Sequence, residues 1–186
     1  SSLSAGTTYY VRAYATTNIT TVYSEAKTFT TPIDITGTVK NESGQAISSA
    51  TVTFKQGSTA VKSVTSNSSG VFTVQLVSGS YNVEVTAQGY SKLSKEVYAD
   101  SNPIELVMKS LGVMTGTVYD DDNMPLANAV ITVKPYLSST TLKAPSTSNG
   151  TYRIENIPLG QTTSITCVLS GYSLVTSIPN QDIRSG

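Results

Sequence analysis

The sequence predicts an all-β protein built from two tandem antiparallel β-sandwiches of seven strands each, with a β-hairpin in front of them. The first observation is a repeat, because "ITGTVKNESGQAISSATVTF" from Ile35 reads like "MTGTVYDDDNMPLANAVITV" from Met114. The second is the alternation of apolar and polar residues in short runs, which is typical of strands with one buried face. The third is that no segment shows helical periodicity. Strands with one apolar face must form two sheets that pack together.

Matching glycines define the period of the repeat. Gly37 corresponds to Gly116 at an offset of 79 in the numbering, and Gly70 corresponds to Gly150 at an offset of 80. Such a period is too long for a solenoid unit and fits a small domain with its own core. We therefore expect domains at residues 1–32, 33–110 and 111–186, joined by short linkers at 30–34 and 109–112.

The first copy carries seven strand signals in order. Polar turns, "NESGQ" and "SNSSG", separate several of them. The clearest alternation is that of Tyr81, Val83, Val85 and Ala87. The predicted strands are 35–40, 51–55, 60–65, 71–76, 81–87, the segment around Tyr98, and 104–108.

The second copy repeats this order as far as Tyr172. Asn149-Gly150-Thr151-Tyr152 stands where Ser69-Gly70-Val71-Phe72 stood. A counterpart of 104–108 is missing before Gly186. Either the sequence stops before that strand, or the strand comes from elsewhere.

The first thirty residues also alternate between apolar and polar side chains, but they do not match the repeat. Tyr9, Val11, Ala13 and Ala15 are predicted to face a core, with Phe29 on the last strand. A lone hairpin is marginally stable in water. We expect it to pack against the first repeat or against a second chain, so a dimer through exposed strands of residues 1–31 is one predicted assembly.

Composition excludes several classes of function. Charged residues make up 13 % of the chain and the formal net charge is zero, which provides no long-range attraction to nucleic acid or to an anionic membrane surface. Histidine is absent and Cys167 is the only cysteine. These counts argue against His-containing triads, the usual zinc sites and an internal disulfide. We expect no enzyme activity and no cofactor, and we interpret Cys167 as a buried small apolar residue.

No run approaches the roughly 20 apolar residues of a membrane span, so direct membrane insertion of this segment is not expected.

Asp120 and Asp122 are the candidate metal ligands, in the run Asp120-Asp121-Asp122-Asn123. An EF-hand loop needs Gly at its sixth position and Glu at its twelfth, where this sequence has Pro125 and Ile131. Asp and Asn also favour turns by bonding their own backbone. A solvated turn is therefore the preferred interpretation, with a bound cation as the alternative.

Tyr98, Tyr119 and Tyr136 are the candidate ligand-binding residues, since exposed aromatic rings stack on sugar rings. Strand tyrosines more often pack with a solvated hydroxyl, and the chain has no Trp. A glycan is thus one possible partner. Lys40, Lys55 and Lys134 lie on predicted strands, where a lysine–asparagine isopeptide bond would need an Asn partner that the sequence does not single out.

The repeat resembles the carboxypeptidase regulatory-like domain, a transthyretin-like (immunoglobulin-like) β-sandwich. The resemblance rests on the Gly-Thr-Val strand, the Ala50-Thr51-Val52 and Ala129-Val130-Ile131 strands, the Gly-x-aromatic motifs and the two Gly-Tyr pairs at 89–90 and 171–172. It covers most of the chain and implies an accessory module without catalysis. In bacteria, such modules occur in secreted and outer-membrane proteins, beside carbohydrate-handling domains.

The N-terminal stretches "LSAGTTYYVRAYATT" and "YSEAKTFTT" look like the last two strands of a fibronectin type III domain, as in Bacteroidetes cell-surface proteins. Leu3, Gly6, Thr7 and Tyr9 match the family's corner. A complete domain has about 90–100 residues and seven strands, so only its end is represented here.

The sequence therefore favours a non-catalytic structural or display module at the surface of a bacterial cell, in an outer-membrane-anchored parent protein. Its partners would be the neighbouring domains of that protein. The first alternative is a carbohydrate-binding accessory module of a glycan-uptake or glycan-degrading system. The second is an adhesin or pilus-like subunit in which a neighbour's strand completes an open sheet.

Overall fold

All regular structure in the described residues is β-strand. The computed structural model describes residues 2–100, 103–135, 139–172 and 182–183. In chain order the strands are β1 (Thr8–Val11), β2 (Tyr14–Thr16), β3 (Thr21–Tyr23), β4 (Lys27–Thr30), β5 (Ile33–Asn41), β6 (Thr51–Gln56), β7 (Thr59–Thr65), β8 (Val71–Leu76), β9 (Gly79–Thr86), β10 (Leu93–Ala99), β11 (Ile104–Met108), β12 (Leu111–Thr117), β13 (Val130–Pro135), β14 (Leu142–Pro145), β15 (Thr151–Pro158), β16 (Gly160–Val168) and β17 (Asp182–Ile183). The all-β prediction is confirmed, and no described helix could span a membrane.

The first repeat is a seven-stranded sandwich. One sheet has the strand order β10-β9-β6-β7 and the other has the order β11-β5-β8. Tyr81, Val83 and Val85 alternate along β9 and are buried, as their spacing predicted. The ring of Phe54, fully buried, lies 6.1 Å from the rings of both Phe72 and Tyr81.

The second repeat has the same arrangement. Its sheets have the orders β14-β13-β16-β17 and β12-β15. Strands β12 to β17 therefore correspond one for one to β5 to β10. None of the described strands corresponds to β11.

The chain divides into two compact units. One contains residues 1–86 and 92–107, and the other contains 87–91 and 108–186. Both linkers are shorter than predicted, because some of the predicted linker residues belong to strands. Ile33 pairs with Leu76 at the start of β5, and Leu111 pairs with Pro158 at the start of β12.

The N-terminal hairpin has four short strands where two were predicted. Strand β1 pairs with β4 and β2 pairs with β3, with a break around Ala13 and Ser24. The hydroxyl of Ser24 accepts a hydrogen bond from the backbone N–H of Ala13 at 3.0 Å, which replaces a ladder contact at the break.

The prediction that alternate hairpin residues face a core is wrong for the described structure. Val11, Ala13 and Ala15 are exposed, and Tyr9 is half-buried through stacking on Phe29 at 5.7 Å. The physical reason is that no second sheet covers the hairpin among the described residues. Packing against a second chain stays a prediction.

Candidate functional site

The acidic turn of the second repeat is built by backbone hydrogen bonds. A carboxylate oxygen of Asp120 accepts from the backbone N–H groups of Asp122 at 3.0 Å and Met124 at 2.8 Å. Asn41 holds the corresponding turn of the first repeat with its amide oxygen in the same way. Since a neutral amide serves equally well, the turn itself requires neither a charge nor a cation.

Among the residues that the structure describes, no group of three or more His, Cys, Asp or Glu side chains is placed to hold a metal ion. The assignment of Asp120 and Asp122 as metal ligands stays a prediction that this geometry does not strengthen.

The tyrosine candidates lie in different places. Tyr98 is 62 % exposed on β10, opposite Ser80 of β9. Tyr119 is 52 % exposed just after β12, where it bridges to Pro125. Tyr136 lies outside the described residues. Tyr98 and Tyr119 belong to separate compact units, so each is a candidate by itself.

A polar groove runs over the four-stranded sheet of the first repeat, close to Tyr98. Its volume is about 510 Å³. The side chains around it combine hydrogen-bond donors and acceptors, and Ser94 donates to the amide oxygen of Asn82 at 3.1 Å. The charged and amide- or hydroxyl-bearing lining residues are Lys55, Gln56, Ser80, Tyr81, Asn82, Ser94, Lys95 and Glu96.

Glu84 links two lysines beside this groove. Its carboxylate lies 2.7 Å from the ammonium of Lys55 and 2.9 Å from that of Lys92. Hydrogen bonds from Lys55 and then Lys92 hold the pKa of Glu84 below its ordinary value.

Two of the three lysines considered for an isopeptide bond, Lys40 and Lys55, pair with carboxylates. Lys40 lies 2.7 Å from Glu105, and Lys55 pairs with Glu84. An isopeptide of the lysine–asparagine type needs an amide in that position. Lys134 lies on β13.

Each repeat contains a buried serine whose hydroxyl makes hydrogen bonds to backbone groups of another segment at the same place in the fold. Neither serine was predicted from the sequence. Ser66 accepts from the backbone N–H of Ala50 at 3.0 Å and donates to the carbonyl of Ile47 at 2.7 Å. Ser146 makes the corresponding bonds to Ala129 and Leu126. The only available signal was that the two serines share the offset of the matching glycines, which is hard to notice in a chain so rich in Ser.

Each Gly-x-aromatic motif packs its ring on a glycine of the neighbouring strand. A Cβ on Gly37 would overlap the ring of Phe72, and a Cβ on Gly116 would lie 2.6 Å from the hydroxyl of Tyr152. Close approach of a neighbouring side chain, and not backbone conformation, therefore favours glycine at both positions.

The second repeat contains a cavity of about 430 Å³ between the end of β12 and the end of β16. Its apolar wall is formed by Val118, Leu126, Ala129, Cys167 and Leu169, and its rim by Tyr119, Asp120, Asp121, Asp122, Gly171 and Tyr172. We call this space the β12 cavity.

Cys167 is a free thiol in the wall of the β12 cavity, and it is half-buried where a buried small apolar residue was predicted. Burial raises the pKa of the Cys167 thiol. The pKa of Tyr152 is also raised, first by burial and then by the nearby thiol. Both groups are therefore neutral at pH 7 and suit an apolar interior.

The two sandwiches have matching strands, matching serine contacts and matching glycine–ring contacts. The chain is therefore a tandem β-sandwich protein. A family model for the carboxypeptidase regulatory-like domain matches residues 34–107 and again residues 113–184. The chain belongs to this family, as two tandem copies.

Solved structures with similar folds come from several bacteria. The Bacillus anthracis TIE protein is 16 % identical with a TM-score of 0.40, and the match covers 96 % of this chain and 39 % of that one. A streptococcal ancillary pilin is 15 % identical with a TM-score of 0.48, covering 96 % and 72 %. A DUF3823 family protein from Bacteroides ovatus is 13 % identical with a TM-score of 0.37, covering 81 % and 97 %. No curated protein matches the chain.

Proposed function

We propose that the chain is a non-catalytic spacer that presents neighbouring domains of a bacterial cell-surface protein. The observation that carries the proposal is the division into two compact units, each with its own buried strands. Such a unit resists extension by itself, because pulling on its ends must break its own sheets. The weakly charged, Ser- and Thr-rich surface suits an extracellular position without a strong electrostatic partner.

Residues 1–32 are, in this proposal, the end of a fibronectin type III domain. The hairpin with its exposed Val11, Tyr14, Val22 and Tyr23 supports this, because such side chains need a sheet to cover them. An extracellular location in an outer-membrane-anchored protein of a Bacteroidetes-type bacterium fits the same interpretation.

Force spectroscopy tests the spacer. The chain, held by its two ends, is expected to show two separate unfolding events, one for residues 34–107 and one for residues 113–184, each lengthening it by roughly 20–25 nm. A chain that extends without force peaks, or in one event, contradicts independent mechanical units.

Glycan binding is the second candidate function, and the polar groove beside Tyr98 is the observation that favours it. Sugar hydroxyls need donors and acceptors together, and Tyr98 offers a ring for stacking opposite Ser80. A glycan array tests it, with Tyr98→Ala expected to abolish any signal and Tyr119→Ala as the matched control. A signal that survives Tyr98→Ala contradicts this site.

A further inference from the structure

We propose that Asn149 is a spontaneous deamidation site, and that the folded turn around it suppresses the reaction until the second repeat opens. The reagents are water and hydroxide, and no enzyme is required. A molecule that reacts while it is open can then lose the ability to refold its second repeat. This inference goes beyond the spacer function and does not depend on it.

The sequence places one asparagine directly before a glycine. Asn149-Gly150 is the only Asn-Gly pair in the chain. A glycine has no side chain to shield its backbone nitrogen or to restrict its backbone. In an unfolded chain, the nitrogen of Gly150 therefore reaches the side-chain carbonyl carbon of Asn149 with little steric hindrance.

The reaction has two steps. Hydroxide removes the proton of the Gly150 N–H, and the nitrogen forms a bond to the Cγ atom of Asn149. The Cγ–Nδ2 bond breaks, and the departing nitrogen takes a proton from water, which releases ammonia, regenerates hydroxide and leaves a five-membered succinimide ring. Water then opens the ring at either carbonyl. One opening gives aspartate with a normal backbone, and the other gives isoaspartate with one additional main-chain atom.

The folded turn holds both reacting groups in place. The N–H of Gly150 donates to the carbonyl of Thr147 at 2.9 Å, which closes a β-turn, and Gly150 is buried. The side-chain oxygen of Asn149 accepts from the hydroxyl of Thr147 at 3.0 Å. Hydroxide reaches the N–H proton only when the turn opens, as in amide hydrogen exchange. The ring therefore closes only in molecules whose turn has opened.

The first repeat has the same turn without the reactive pair. The N–H of Gly70 donates to the carbonyl of Asn67 at 2.9 Å, and Ser69 occupies the place of Asn149. A serine side chain cannot form the ring, because it has no carbonyl carbon. The turn thus accepts a residue other than asparagine at this position, so Asn149→Ser is a variant that removes the reaction and keeps the fold.

The packing around Gly150 leaves no space for a longer backbone. A Cβ atom on Gly150 would lie 2.6 Å from the carbonyl oxygen of Val118 and 3.0 Å from the Cβ atom of Pro125. The carbonyl of Gly150 also accepts from the N–H of Val118 at 2.9 Å. The additional main-chain atom of isoaspartate displaces Gly150 from this position, so the turn and the start of β15 lose their hydrogen bonds. Aspartate at position 149 keeps the backbone length and permits folding.

Peptide mapping by mass spectrometry tests the proposal on the whole chain at mildly alkaline pH. Conversion of Asn149 is followed in the folded chain and in the chain unfolded in guanidinium chloride at the same pH. The folded chain is expected to react at least about tenfold more slowly, because only its open fraction reacts. Asn149→Ser should remove this product in both states. Equal rates in the two states, or faster deamidation of another asparagine in the unfolded chain, would overturn the proposal.

Hydrogen exchange of the Gly150 N–H provides an independent readout, because both reactions remove the same proton. Its protection, measured by NMR, should match the slowing of deamidation within about threefold. Thr147→Val removes the hydroxyl that contacts Asn149 and should raise the folded-state rate about two- to fivefold. Ser148→Ala, at an exposed position of the same turn, should leave that rate unchanged. A protected N–H together with deamidation at the unfolded rate contradicts the mechanism.

Refolding after the reaction tests the consequence for the second repeat. The chain is kept unfolded until Asn149 has reacted, the isoaspartate form is separated by chromatography, and both are returned to native buffer. The isoaspartate form is expected to lack the calorimetric transition of the second repeat. Asn149→Asp carries the same charge on a normal backbone and should retain it.

An isoaspartate form that regains this transition at its original temperature overturns the predicted loss of refolding. None of these outcomes changes the two unfolding events expected of unreacted spacer, so the two proposals fail separately.

Discussion

Ser66 and Ser146 stabilise the repeats through hydrogen bonds to backbone groups of another segment. Each is only 4 % exposed, and its hydroxyl both accepts from an N–H and donates to a carbonyl. Without the hydroxyl, those two backbone groups would stay buried and unsatisfied. An unsatisfied buried polar group is more harmful than the loss of an exposed hydrogen bond.

Ser66→Ala is expected to destabilise the first repeat by about 1–3 kcal/mol, because it leaves the N–H of Ala50 and the carbonyl of Ile47 without a partner. Urea unfolding followed by circular dichroism measures the change. Ser68→Ala is the matched control, since Ser68 is exposed in the next turn and should change stability by less than about 0.5 kcal/mol. Equal effects of the two substitutions would show that the buried contacts contribute nothing special.

Gly37→Ala should be more damaging than Gly116→Ala. The new methyl group at Gly37 meets both the ring of Phe72 and the backbone of Ile104, and a backbone cannot rotate away. At Gly116 the three nearest atoms all belong to the half-buried side chain of Tyr152, which can shift more readily than a backbone. We expect about 1–3 kcal/mol or more for Gly37→Ala and a smaller loss for Gly116→Ala, measured by thermal unfolding. A larger loss at Gly116 would show that the side chain of Tyr152 cannot shift to make room.

At the scale of elements, the ion pairs across the outer face of the first repeat couple β6, β9 and the turn after β9. Glu84 has a lowered pKa because Lys55 and Lys92 stabilise its charged form. A carboxyl with a lowered folded-state pKa adds stability above its unfolded pKa of roughly 4.3, and this stability is lost as the pH falls through the folded pKa.

Glu84→Gln is therefore expected to flatten the decrease in melting temperature between pH 6 and pH 3. At pH 6 the variant should melt below the natural chain, and at pH 3 the two should converge. Differential scanning calorimetry measures this, with exposed Glu42→Gln as the control that should keep the natural slope. Parallel curves for Glu84→Gln and the natural chain would rule out this contribution.

The positions of the strands along the first repeat were predictable because alternation alone separates buried from exposed positions, as β9 shows with Tyr81, Val83 and Val85. The hairpin was less predictable, since its alternation is that of a packed strand while its partner sheet is not among the described residues. The β12 cavity was beyond sequence reasoning, because Val118 and Cys167 meet there only through the fold. The serine contacts were hidden for another reason, since only the offset that Ser66 shares with Ser146 distinguishes it from its many serine neighbours.

At the scale of the whole molecule, matched positions that the structure describes in both repeats differ in burial: Ile35 and Val39 are buried, whereas Met114 and Val118 are half-buried. Among its described residues, the second repeat fully buries the apolar side chains of Ala129, Ile131, Val133, Ile154 and Ile157. The first buries the aromatic side chains of Phe54, Phe72 and Tyr81. Since burial is the main favourable contribution to folding, the lower exposure of Ile35 and Val39 compared with Met114 and Val118 leads us to expect that the first repeat is the more stable.

The chain is accordingly expected to unfold in two calorimetric transitions, with the second repeat melting first. Ile131→Val should lower only the first transition, because its deleted methyl group comes from the core of the second repeat, and a loss of about 1 kcal/mol corresponds to roughly 4–8 °C in a domain of this size. Phe54→Leu should lower only the upper transition, because Phe54 packs against Phe72 and Tyr81 in the other unit. One cooperative transition that both substitutions shift equally would show that the two repeats fold as a single body, and the independent units on which the spacer rests would have to be abandoned.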